Sequence, residues 1–221
     1  MIEVLLLVGI IVLAISSQSI INSVYAKYAR TSSSLELTGR DIAEKMLLEN
    51  GVMGVGFGVT KNDLGDYYDP RSKMIYLSKS GMQSNSVAAL AVAAHETGHA
   101  IQDSEGYFML RIRNAIAPVC SFCSKFVWLA ILAGVLMQML NLVILGLALM
   151  GAVIVFQLVT LPVEFDASRR AVNYLSTIVV DEDAMIGVKK MLKAAAYTYV
   201  ASTLASILQL IRLINRFDGD R

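Results

Sequence analysis

Apolar positions in this chain come in long blocks rather than as an even mixture. Residues 126–163 form 38 consecutive positions without a charge. A membrane-crossing helix needs about 20 apolar residues, so the run predicts two short spans turned near Asn141. One helix of that length would measure about 57 Å, far beyond the ~30 Å hydrocarbon core. A second run, residues 4–15, continues through Ser16-Ser17-Gln18 to Ile20 and Ile21. Secretory signals carry a basic n-region, but here Glu3 precedes the run while Lys27 and Arg30 follow it. That order predicts an uncleaved anchor. Residues 194–211 are also uncharged, yet they include Tyr197, Thr198, Tyr199, Ser202 and Gln209. This stretch reads as a span with one face against other helices, an interfacial amphipathic helix being the alternative.

Residues 26–110 carry the shorter periods of a small α+β part. Thr38 and Asp41 resemble a capping arrangement, Ile42, Met46 and Leu47 line one face, and Gly51 supplies a C-cap. Together they predict a helix over 39–50. Residues 52–60 and 73–78 are β-prone, separated by the turn signals Asn62-Asp63 and Asp69-Pro70. Gly54, Gly56 and Gly58 lack the Gly-Lys-Ser/Thr ending of a phosphate loop and read as a softened strand. Over 86–104, Val87, Ala88, Leu90, Ala91 and Ala94 mark a helix that Ser84, Asn85 or Ser86 would cap.

Composition sharpens this picture. Hydrophobic residues make up 56% of the 221 and charged ones only 17%, with mean hydropathy +0.59. The 19 Lys/Arg and 18 Asp/Glu nearly cancel, which argues against a nucleic-acid partner. Three Pro and two Cys exclude disorder and a disulfide scaffold. Cys120 and Cys123 lack the second pair of a zinc site and read as buried, reduced thiols. Residues 19–125 hold 11 Lys/Arg and residues 164–193 hold five. The hairpin returns the chain to one side, so the positive-inside rule puts both segments in the cytoplasm. A spanning last helix would leave Arg212, Arg216 and Arg221 outside.

The chemistry lies in His95-Glu96-Thr97-Gly98-His99, an H-E-x-x-H sequence. Residues four apart share a helix face, so both imidazoles can reach one Zn²⁺, while Glu96 stays free to take a proton from water. By chance this spacing arises in roughly one in three thousand shufflings of the chain's composition, which sets aside two merely solvated histidines. A catalytic zinc needs a third protein ligand, and no other His exists. Asp103 is two turns from His95, too far for the same ion. Glu164 and Asp166, just past the long apolar run, remain as candidates.

The chain resembles the bacterial family of membrane-bound neutral zinc metallopeptidases. The likeness rests on Tyr68-Asp69-Pro70-Arg71, Leu77-Ser78, residues 92–102 around the His pair, Glu164-Phe165-Asp166-Ala167-Ser168-Arg169-Arg170-Ala171, and residues 195–201. The family often has a His where Tyr67 stands. More distantly, Glu-Phe-x-Ala is similar to the gluzincin-like membrane proteases that include CAAX prenyl endopeptidases and heat-shock membrane metalloproteases. Those relatives imply Glu164 as the third zinc ligand. They also carry an Asp four residues later that orients a ligating His; here that position is Ser168, which leaves the orienting role open, with Asp166 a substitute that points elsewhere on a helix.

The resemblance implies a mainly α integral membrane protein with a small α+β zinc-metallopeptidase domain. Its parts would be a transmembrane anchor (1–23), a cytoplasmic metallopeptidase part (24–114), a transmembrane hairpin (115–163), a segment with the third ligand (164–193) and a transmembrane or membrane-associated helix and tail (194–221). The implied activity is peptide hydrolysis with one Zn²⁺ on His95, His99 and Glu164 and with Glu96 as general base. The partners would be a peptide or protein substrate and the lipid bilayer. Arg169, Arg170, Tyr174, Tyr197 and Tyr199 are candidates to stabilise the oxyanion. The strand over 73–78 offers a place for substrate strand addition. A catalytically inactive zinc-binding scaffold is the rival, and a transporter or channel is weakened by the uncharged hairpin.

Overall fold

A computed structural model describes residues 2–218. Arg221 of the tail and Met1 of the anchor therefore lie outside the described residues. Helix α1 (Ile2–Tyr28) is followed by α2 (Gly39–Glu49), β1 (Gly56–Thr60), β2 (Tyr67–Asp69), β3 (Met74–Ser78) and α3 (Lys79–Gln83). Then come α4 (Val87–Ser104), α5 (Phe108–Leu136), α6 (Leu140–Ile178) and α7 (Glu182–Asp218). Helices α1, α5, α6 and α7 are each long and apolar enough to cross a membrane. The protein is thus a mainly α membrane protein with a small three-stranded sheet.

The chain divides into two compact units. One comprises the residues up to Gln18, Arg111–Pro162 and those from Thr198 onward. In it Val127, Ile131, Met150, Ile154 and Leu213 form a buried cluster. A Cβ at Gly146 would stand 2.5 Å from the Ile131 side chain and 3.1 Å from its backbone nitrogen. Small residues allow this close approach of helices, which matters in lipid, where packing replaces the hydrophobic drive. Cys120 and Cys123 are free and buried, with the Cys120 thiol directed at the Ala152 carbonyl at 3.7 Å.

The hairpin turns at Met137-Gln138-Met139, close to the expected Asn141, which lies in the first turn of α6. Gln138 takes φ 56°, and the Met139 amide donates to the Gly134 carbonyl at 2.8 Å. This is a Schellman-type ending whose backbone bonds tolerate a non-glycine residue, so no turn residue advertised it.

The other unit comprises Ser19–Leu110 and Val163–Tyr197. Its larger core joins Ile42 and Met46 of α2, Val87, Leu90, Ala91 and Ala94 of α4, Leu175 of α6, and Val188 and Met191 of α7. A smaller cluster beneath the sheet includes Leu47, Ile75, Leu77, Ala93 and Ala100. Helix α4 thus contributes to both, and its interior is buried almost all round. Thr38 and Asp41 form a full capping box at the start of α2. At its end Gly51 has φ 68°, and the Val52 amide bonds the Leu47 carbonyl at 2.9 Å.

The strand expected over 52–60 is confined to Gly56–Thr60, and β2 was not foreseen. The sheet order is β1-β3-β2, with β1 parallel and β2 antiparallel to β3. Both edges of β3 are therefore occupied, which closes the strand over 73–78 to substrate strand addition.

Candidate metal centre

Ser86 caps α4, its hydroxyl accepting from the Ala89 amide at 3.2 Å, which sets the register of the helix that carries His95, Glu96 and His99. Beside α4 runs α6. A Cβ on Gly98 would come within 2.9 Å of the Ala167 carbonyl oxygen and 3.1 Å of its Cα. Only glycine lets the two backbones come this close, which explains the residue inside the His pair. The approach carries Glu164 up to both imidazoles: one carboxylate oxygen lies 3.2 Å from His95 Nε2 and 3.6 Å from His99 Nε2.

One ligand atom from each of His95, His99 and Glu164 lies within 4.8 Å of the others, and all three residues are buried. Two imidazole nitrogens and a carboxylate oxygen form the donor set of a catalytic zinc with an open fourth position. The hydrogen bonds behind the rings fit the same reading. His95 Nδ1 meets Ser168 Oγ at 3.2 Å, and His99 Nδ1 meets Gln102 Oε1 at 3.0 Å. Gln102 Nε2 in turn donates to the Val163 carbonyl and to Asp166, both at 2.9 Å. That chain of bonds puts the His99 proton on Nδ1 and leaves Nε2 free to coordinate.

Two expectations change here, and a third, that Asp103 lies too far from the pair to share its ion, holds. Ser168 itself takes the orienting position on His95, because four residues after Glu164 return to the same face of α6. Asp166 reaches the site through Gln102 rather than as a ligand, its other partners being Arg169 and Arg170. Asp103 is held by Tyr68 Oη at 2.7 Å and by Lys73, away from the His pair. Gln102 lies three residues after His99, a spacing visible in the sequence, but nothing in the chain order reveals that Val163 and Asp166 anchor it.

Glu96 is 8% exposed, and its Oε2 accepts from the Tyr68 amide of β2 at 2.9 Å. Burial pushes the Glu96 carboxyl above the ordinary carboxylate range, despite the opposing influence of both histidines. A carboxylate poised upward in this way is better matched to exchanging a proton with water near neutral pH. Among the oxyanion candidates, Arg170 is committed to Glu105 by two bonds of 3.0 and 2.8 Å, and Tyr174 faces Glu49 at 3.5 Å.

Comparison with known proteins matches the chain to a family. The family described as "Putative neutral zinc metallopeptidase" matches residues 3–218. The "Putative membrane protease YugP" of Bacillus subtilis (strain 168) is 38% identical over the whole chain and 99% of its own length. No solved structure matches.

Proposed function

We propose, from the premise that the chain belongs to the neutral zinc metallopeptidase family, that it is a membrane-embedded zinc metalloendopeptidase. The observation that carries the reading is the convergence of His95, His99 and Glu164 beside a buried carboxylate that coordinates nothing. His95 Nε2, His99 Nε2 and a Glu164 oxygen would hold Zn²⁺, which when bound polarises a scissile carbonyl and lowers the pKa of water toward 7. Gln102 keeps the His99 proton on Nδ1, and Ser168 steadies the His95 ring through its Nδ1. The Tyr68 amide fixes Glu96 Oε2 and leaves Oε1 to take the proton of the attacking water and hand it to the leaving amine. The buried surroundings of Glu96 limit competing solvent and favour a proton that moves rather than one that is lost.

The cation count favours a cytoplasmic site, and the substrates would be peptides or proteins. A zinc-keeping scaffold without turnover has no use for Glu96. The test compares wild type with Glu96→Gln in detergent, measuring bound zinc and cleavage of an unstructured protein. Zinc should be retained and cleavage should fall by a factor of about 10² to 10⁴. Equal cleavage by the two forms would end the proposal. In parallel, Glu164→Ala should lower zinc content; unchanged affinity would remove Glu164 from the ligand set.

A further inference from the structure

On the second unit, beside the metal centre, α6 and α7 wall an open groove of about 430 Å³. Its lining comes from Phe165, Ser168, Arg169 and Val172 on α6 and from Lys189, Leu192, Lys193 and Ala196 on α7. Both sets have the spacing i, i+3, i+4, i+7, so each is one continuous helix face. Phe165, Val172, Leu192 and Ala196 make the floor apolar, and the only charges along it are the three cations. Arg169 pairs with Asp166, whose charge is shared with Arg170. Lys189 and Lys193 are exposed, and among the described residues neither makes an ion pair. The groove therefore keeps an uncompensated positive rim above a greasy floor.

Both walls continue into uncharged helix. Lys193 immediately precedes the uncharged residues 194–211, and Phe165 is the second residue after the uncharged run 126–163. Arg169 is six residues past that run, about 9 Å along the helix. Cations at the end of an apolar span stand at the depth of lipid phosphates, and an apolar floor beside them accepts an acyl chain. We propose that this groove binds one anionic phospholipid, its phosphate on Lys189, Lys193 and Arg169 and an acyl chain over Phe165, Leu192 and Ala196. The groove wall also touches the metal centre, since Ser168 Oγ meets His95 Nδ1. The lipid proposal does not depend on catalysis and is tested without it.

The experiment reconstitutes the full chain in nanodiscs of equimolar phosphatidylglycerol and phosphatidylcholine and reads, by native mass spectrometry, which lipid stays bound. Wild type should retain phosphatidylglycerol preferentially. Each of Lys189→Gln and Lys193→Gln should reduce that preference about fivefold, following the usual contribution of a juxtamembrane cation. Lys190→Gln removes the same charge from the same helix outside the groove and should leave the preference intact. Ala196→Phe fills the groove with every cation in place and should also abolish retention, with an unchanged unfolding temperature confirming that the variant is folded. Absence of any phosphatidylglycerol preference overturns the proposal. So does an equal loss from Lys190→Gln, which would mean diffuse surface attraction, or displacement of the bound lipid by soluble poly-glutamate, which would mean a peptide site.

Discussion

At the scale of single residues, the candidate site depends on side chains that coordinate nothing. Ser168 and Gln102 hold the two imidazoles by their Nδ1 atoms. Such partners set ring orientation, and their loss typically weakens metal binding 10- to 100-fold. Ser168→Ala and Gln102→Ala are each expected to lower zinc affinity within that range in a chelator competition assay. Gln102→Ala should be the more damaging fold lesion, because it also removes the amide that donates to Asp166 and to the Val163 carbonyl. Gly98 acts through its missing side chain. In Gly98→Ala the new methyl would meet backbone atoms of Ala167, which cannot rotate away. The expected cost is about 1–3 kcal/mol in unfolding experiments, with zinc affinity falling because Glu164 is pushed back. A variant as stable and as tight for zinc as wild type would contradict the close-approach account.

At the scale of elements, the start of α2 offers a separable test. Thr38 Oγ1 and the Thr38 amide both donate to Asp41 Oδ2, at 2.7 and 2.8 Å, and the Asp41 amide donates back to Thr38 Oγ1 at 3.2 Å. The Thr38 side-chain bond, then its backbone bond, hold the Asp41 carboxyl below its ordinary value of 3.8. A carboxyl depressed on folding contributes stability that is present above the unfolded value and lost as pH falls through the folded one. Thr38→Ala should therefore cost about 1 kcal/mol at neutral pH. The gap between wild type and variant should narrow as pH drops below about 3.8, read as unfolding temperature against pH; a gap that widens in acid would refute the capping role. The long helices show the opposite relation to sequence. Helix α6 has 39 residues, about 58 Å, so the uncharged run marks only part of it. No charge pattern signals that the helix continues through Pro162 to carry Glu164 onward to Ile178.

At the scale of the whole molecule, four membrane-length helices and the cation distribution make a topological prediction. With the natural cysteines replaced, Lys61→Cys should resist a membrane-impermeant maleimide applied outside intact cells, whereas Arg216→Cys should react. The reverse pattern would place the candidate site outside and overturn the cytoplasmic assignment. The labelling pattern would also decide whether α7 spans, since an interfacial α7 leaves both positions on one side.

What the sequence determined by itself was whatever is encoded in local spacing. Membrane segments show as uncharged runs because charge at bilayer depth is costly. The helix of His95 and His99 shows because four residues make about one turn, and α2 because its caps are adjacent in the chain. The third ligand was narrowed by elimination to Glu164 or Asp166 and chosen between them only through resemblance. The tertiary structure decided what depends on segments distant in sequence meeting in space. It put β3 in the middle of the sheet, the Tyr68 amide on Glu96, and Gly98 against Ala167 so that Glu164 reaches both imidazoles. It also gave Asp166 to Gln102 rather than to a metal. The physical reason is that hydrogen-bond satisfaction in a buried site is settled by all the packed elements together, and no periodicity within one element records its partners.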